Sequence, residues 1–260
     1  MRQNRSFSQI FLKDKHYIDK VVSKLDCRGK SVLEIGSGAG QISKIIAKKA
    51  KFLYCVEIDP ILVKVTREEL AKARNTEIIQ ADIRDISLIE FKKNLLIFSN
   101  VPYHLSSKLI EYLVFYKKKI TSSYLILQKE FVKKISAKPG SKIYGSISCL
   151  VQYYAKIKHL FDIPAGAFRP SPKVSSSFVE LKFFKEASAP VRDKDFLFKF
   201  IKLGFRQRRK KMSTLIKQEF SDESLKLLSK LDIDLSQRPE QIALEDFCKI
   251  SDCLYDFNNS

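Results

Sequence analysis

Between Ser31 and Phe98 the chain repeats one pattern, a short β-branched run followed by a longer segment whose apolar residues fall three and four apart. Ser31 to Ile35 is the first run. It leads directly into Gly36-Ser37-Gly38-Ala39-Gly40, and from Gln41 to Lys49 a helical period takes over with Ile42, Ile45 and Ile46 on one face. Such alternation builds βαβ units and therefore a parallel sheet. Phe52 to Val56 reads as the second strand, and Asp59-Pro60 as the N-cap and first turn of a helix running to about Arg74. Glu77 to Gln80 is a third strand leading into Asp82, and Leu95 to Phe98 a fourth leading into Asn100. A helix after His104, a strand at Tyr124 to Leu127, a loop at Lys138-Pro139-Gly140 and an alternating strand at Ser176 to Phe183 follow. Lys185 to Val191 has linker composition, and beyond it the pattern is helical only, as in Phe247, Ile250 and Leu254.

The glycine turn restricts the ligand. Glycines between a strand and a helix let the backbone turn tightly and let a nucleoside approach the main chain. A dinucleotide fingerprint needs its third glycine at position 41, which is Gln41. The spacing from Gly36 through Gly38 to Gly40 suits S-adenosylmethionine (SAM), which has no pyrophosphate to seat on the helix N-terminus. Glu57, with Ile58 beside it, closes the second strand 21 residues after Gly36, where a carboxylate can accept from both ribose hydroxyls. Asp82 can accept from an adenine amino group while Ile83 packs on the ring. Either acid alone is more simply a helix cap or a solvated loop residue. Three such features at successive strand ends point together to a Rossmann-like SAM-dependent methyltransferase sheet over residues 1–184, an α/β domain, with a small all-α domain over 185–260.

Asn100-Val101-Pro102-Tyr103 narrows the reaction. The exocyclic amine of adenine is a poor nucleophile because its lone pair is delocalised into the ring. A side-chain carbonyl from Asn100 and the backbone carbonyl of Val101 can accept both amino hydrogens, and Tyr103 can stack on the base for ~1–3 kcal/mol. A sulfonium supplies its own leaving group, so alignment and desolvation matter more than a strong base. Elsewhere the same tetrapeptide is a turn with a buried tyrosine.

Charge selects the partner class. Lys and Arg number 48 against 29 Asp and Glu, a net +19 with a pI near 9.6, which excludes an acidic or neutral housekeeping enzyme and implies an anionic partner, nucleic acid before membrane. Lysine runs occur at Lys48-Lys49, Lys117-Lys118-Lys119 and Lys133-Lys134. Arg206 with Arg208-Arg209-Lys210-Lys211 is the strongest RNA candidate, since arginine pairs with phosphate and stacks on bases. Five cysteines without a C-x-x-C pair and three scattered histidines give no disulfide framework and no metal site. No apolar run reaches the ~20 residues of a membrane span, and Met1 to Arg5 is not followed by a signal region. The expectation is a cytoplasmic monomer without metal or membrane partner.

With these motifs the sequence resembles the ribosomal RNA adenine N6-dimethyltransferases, most closely the KsgA type that modifies small-subunit RNA. The matching stretches also include Ser8-Gln9-Ile10-Phe11-Leu12, Leu127-Gln128-Lys129-Glu130, Tyr144-Gly145-Ser146-Ile147-Ser148, Phe168-Arg169-Pro170-Ser171-Pro172-Lys173-Val174 and Phe205-Arg206-Gln207-Arg208-Arg209-Lys210. The resemblance implies SAM contacts from Ile10, Leu12, Gly36, Glu57, Asp82 and Asn100. Position 10 is usually polar in that family, so Ile10 offers only backbone or apolar contact. It implies Phe168 as a second aromatic at the target-base pocket, in competition with a core phenylalanine beside a proline-stiffened turn. It further implies small-subunit ribosomal RNA within a pre-ribosomal particle as partner, two adjacent adenosines near the 3′ end as targets, and four methyl transfers. An Erm-type enzyme acting on large-subunit RNA is the neighbouring alternative; the Phe205 stretch and Arg238-Pro239-Glu240-Gln241-Ile242 favour the small-subunit type. A non-catalytic RNA-binding assembly or transcription factor is the alternative from another class, and the intact Glu57, Asp82 and Asn100-to-Tyr103 set argues against it.

Overall fold

The computed structural model describes residues 10–91 and 93–258, so Ser8 and Gln9 of the N-terminal matching stretch lie outside the described residues. In chain order the elements are β1 (Phe11–Leu12), α1 (Lys15–Lys24), β2 (Ser31–Ile35), α2 (Gln41–Ala47), β3 (Phe52–Glu57), α3 (Pro60–Glu69), β4 (Thr76–Gln80), β5 (Leu95–Asn100), α4 (Ser106–Phe115), β6 (Ile120–Gln128), α5 (Lys129–Ile135), α6 (Ser146–Tyr154), β7 (Ala155–Ile163), β8 (Phe168–Arg169), β9 (Ser176–Phe183), α7 (Lys194–Arg206), α8 (Met212–Glu219), α9 (Asp222–Leu228) and α10 (Leu244–Asn258).

The main sheet runs β4-β3-β2-β5-β6-β9-β7. Its first five strands are parallel, and β9 pairs antiparallel with β6. After β2 the chain moves outward through β3 to β4, then returns to β5 on the other side. The β2/β5 boundary is therefore a topological switch point, where open α/β sheets leave a crevice at the strand C-termini. Leu95 to Ser99 of β5 are all buried, as a central parallel strand covered on both faces requires.

Helix α3 stops at Glu69, short of Arg74, although Ala71 to Arg74 are good helix formers. A tertiary bond explains the early stop. The Asn75 Nδ2 donates to the carbonyls of Ala47 and Ala50 at 2.9 and 3.0 Å, satisfying the end of α2, and the Asn75 carbonyl accepts from Leu53 to start the β3 ladder. Reaching that position requires the chain to leave the helix first.

The chain divides into two compact units, one reaching Val132 and adding Lys156–Phe183, the other combining Lys133–Ala155 with the chain from Phe184 onward. The first carries the sheet. In the second, α7 packs against α10 and α6 around Phe200, Phe205 and Phe247, with the Phe200 and Phe247 rings 6.0 Å apart. Thus Lys133–Ala155, which runs up to the first residue of β7, groups with the C-terminal helices, as does the chain from Phe184 onward.

Candidate active site

The ends of β2, β3, β4 and β5 converge on one cavity of about 250 Å³, to which Ile10, Phe11 and Leu12 also contribute. Its floor is the glycine turn. Gly38 has φ +58°, and a Cβ there would lie 2.9 Å from the Phe11 ring, so both the backbone and the packing require glycine. The turn is held at both polar atoms of that residue, because the Gly38 N–H donates to Glu57 Oε2 at 2.9 Å and the Gly38 carbonyl accepts from Thr66 Oγ1 at 2.8 Å.

Glu57 is buried, and its Oε1 accepts from the N–H groups of Ile58 and Asp59 at 2.9 and 3.0 Å. A carboxylate offers about four lone-pair directions, and three are taken. Room for two ribose hydroxyls is therefore narrower than strand-end spacing alone implies. Asp82 at the end of β4 is engaged differently. Arg84 Nε lies 3.0 and 3.1 Å from its two oxygens, and these hydrogen bonds hold the Asp82 carboxyl below its ordinary range. Ile58, Ile83 and Arg84 line the cavity beside the two acids.

At the end of β5 the Asn100 Nδ2 donates to the Ile10 carbonyl at 2.9 Å. With the amide nitrogen so committed, the Oδ1 is the atom left to accept. Val101 is buried and its N–H reaches the Ile126 carbonyl at 3.1 Å, while Pro102 lines the cavity. Tyr103 opens a single 3-10 turn, and its hydroxyl is 3.2 Å from Ser176 Oγ.

Several groups here were missed by the sequence reading as site groups. Glu34 lines the cavity, fully buried, and burial pushes its carboxyl up to about 8. It stands in the strand that leads into the glycine turn, two residues before Gly36, so the signal was present. Thr66, Arg84 and Ser176 carry no motif that marks them.

Two of the expected site residues are engaged by other parts of the chain. Phe168 is 1% exposed, belongs to the apolar core with Phe161 and Phe178, and does not line the cavity, so the core reading describes it. Arg208 is only partly a free cation, since Nε and Nη2 engage Glu240 at 3.0 Å and Nη2 also donates to the carbonyls of Lys142 and Tyr144. Arg206, Arg209, Lys210 and Lys211 are exposed, and Lys210 Nζ bonds Gln218 at 2.7 Å. Among the described residues no group of His, Cys, Asp and Glu is placed to hold a metal, and no helix is long and apolar enough to cross a membrane.

In fold the chain is a Rossmann-like methyltransferase. A dimethyladenosine transferase from Plasmodium falciparum superposes with a TM-score of 0.83 at 23% identity, covering 96% of this chain and 98% of that one. The 23S rRNA methyltransferase ErmE superposes with a TM-score of 0.73 at 19% identity, covering 94% and 99%. Sequence narrows the class. The family model described as ribosomal RNA adenine dimethylase matches residues 1–256, and the chain belongs to that family. Related proteins include the ribosomal RNA small subunit methyltransferase A of Idiomarina loihiensis, 34% identical over 97% of this chain and 88% of the relative, and that of Hahella chejuensis, 31% identical over 97% and 93%.

Proposed function

We propose that the protein dimethylates N6 of two adjacent adenosines in the 3′-terminal hairpin loop of small-subunit ribosomal RNA, using SAM, during ribosome assembly. The observation that carries this reading is the convergence of the glycine turn, Glu57, Asp82 and Asn100 on one cavity at the switch point of the sheet. Its chemistry fits a nucleoside sulfonium, with carboxylate acceptors at two strand ends, apolar side chains between them and a turn that admits close approach of the main chain. Glu57 takes a ribose hydroxyl on its remaining lone pair, and Asp82, kept ionised by Arg84, takes the adenine amino group between Ile58 and Ile83. Gly36 and Gly38 give the main-chain surface, while Ile10 and Leu12 close the wall, Ile10 acting through its carbonyl. Bound SAM supplies an electrophilic methyl group on a sulfonium.

The chain's own part in the reaction is to present the amine. Oδ1 of Asn100 and the carbonyl of Val101 accept the two amino hydrogens and draw the nitrogen lone pair out of the ring, and Tyr103 holds the base face. Pro102 fixes the turn between them. Acceptors facing the nitrogen also admit a monomethylated amine, which still has one hydrogen to donate. Loop adenosines are partly unstacked, so extruding them costs less than from a duplex. Arg206, Arg209, Lys210 and Lys211 grip RNA flanking the target.

Labelled SAM incubated with the protein and with small- or large-subunit precursors from an unmethylated strain tests this, with methylated nucleotides mapped by mass spectrometry. Two dimethyladenosines in the small-subunit loop are expected. Label confined to large-subunit RNA, or no label with intact RNA binding, overturns the reading.

A further inference from the structure

We infer that Ser176 is a positioning residue that holds the Tyr103 ring in place for the target base. The inference rests on the role proposed above for Tyr103. The phenol and the Ser176 hydroxyl are 3.2 Å apart and share a hydrogen bond. Ser176 has 0% exposure, so water does not supply a substitute partner, and a buried hydroxyl left unpaired is costly.

The sheet topology makes this contact possible. Parallel strands β5 and β6 bring their C-terminal ends to the reactive edge, and β9, running the other way, brings its first residue there. Asn100 lies opposite Ile126, and Ser176 lies opposite Gln128, two residues further along β6. Tyr103, three residues beyond Asn100, therefore reaches across the end of β6 to the start of β9. Ser176 is itself immobilised from both sides in sequence. The Ser175 carbonyl accepts from the Lys129 N–H at 3.0 Å, and Ser177 Oγ donates to Asp162 Oδ1 at 2.6 Å.

At the other end of the ring, the Tyr103 carbonyl accepts from Ser106 Oγ at 3.0 Å, which secures the backbone. The ring is thus held at its root and at its tip. A stacking platform fixed in this way need not be ordered by the substrate, and its misplacement affects the aligned complex more than cofactor binding.

The test is a double-mutant cycle on the full-length protein with labelled SAM and unmethylated small-subunit particles. S176A and Y103F each remove one hydroxyl, and each is expected to lower kcat about three- to tenfold with the SAM Kd unchanged. The double variant is expected to lose no more than either single one. S176T, which keeps the hydroxyl, is expected to recover most of the rate. Wild-type kcat in Y103F, or losses that multiply in the double variant, overturns the inference. If S176A does not fold, Y103F and S176T still decide it. Y103A separates the two levels: wild-type turnover there sinks the proposed role of Tyr103 itself, whereas loss in Y103A with wild-type turnover in Y103F sinks only the role of Ser176.

Discussion

The Gly38 N–H donates to Glu57 Oε2 at 2.9 Å across 19 residues of chain, tying the turn after β2 to the end of β3. The same carboxylate accepts from Ile58 and Asp59, so one side chain sets both the shape of the glycine turn and the start of α3.

Replacing Glu57 by Gln puts an NH₂ where one of these acceptors stands and leaves at least one buried N–H unpaired, at ~1–3 kcal/mol. SAM affinity measured by calorimetry should fall about tenfold or more, with a lower Tm. Unchanged affinity removes Glu57 from the ribose role.

Asn100→Ala deletes the acceptor proposed for the target amine and the donor to Ile10. Turnover should fall about 10²- to 10³-fold, the magnitude of losing one preorganised hydrogen-bonding group, while SAM binding stays within a few-fold. Wild-type turnover removes Asn100 from the reaction.

The basic segment after α7 should separate into two kinds of residue. Arg208→Gln breaks a charge pair with Glu240 and two bonds to carbonyls, so it should lower the Tm. Arg209→Gln with Lys211→Gln should leave the Tm alone and reduce the slope of log K against log salt for RNA by roughly 0.7 per lost phosphate contact. An unchanged slope means that these charges do not meet RNA.

Glu34 gives the stability a pH dependence. Its carboxyl titrates near 8 in the folded chain against 4.5 for the free group, with burial as the main cause. Between those values the folded state binds the extra proton, so the contribution is complete below 4.5 and disappears as pH rises through 8. Urea midpoints from pH 6 to 9 should decline in the wild type and flatten in Glu34→Gln. Equal declines in both exclude Glu34 as the source.

The parallel sheet was legible because buried strands and amphipathic helices differ in period. Strand ends were legible where an acid or Asn followed an apolar run, as at Glu57 and Asn100. Less visible were pairings set by distant chain. β1 is two residues long and exists through its ladder to β8, Phe11 opposite Arg169 and Leu12 opposite Phe168. β7 reads Ala-Lys-Ile-Lys-His-Leu-Phe-Asp-Ile, and its uneven burial gives no clean alternation. Phe168 was open to two readings because a proline-rich loop and a core wall call for the same aromatic. Arg84 and Ser176 act through partners that nothing in their local sequence indicates.

The wall of the cavity is built in two grades of strength. Its floor hangs from the full ladders of β2, β3 and β5, which give way only when the sheet does. The side formed by Ile10 to Leu12 hangs from a two-residue ladder, one amide bond from Asn100 and, just beyond it, the Lys13 and Asp14 N–H groups on the Ala167 carbonyl. Local opening takes the path with fewest bonds to break, so amide hydrogen exchange at Phe11 and Leu12 should run ahead of exchange in β2, β3 and β5.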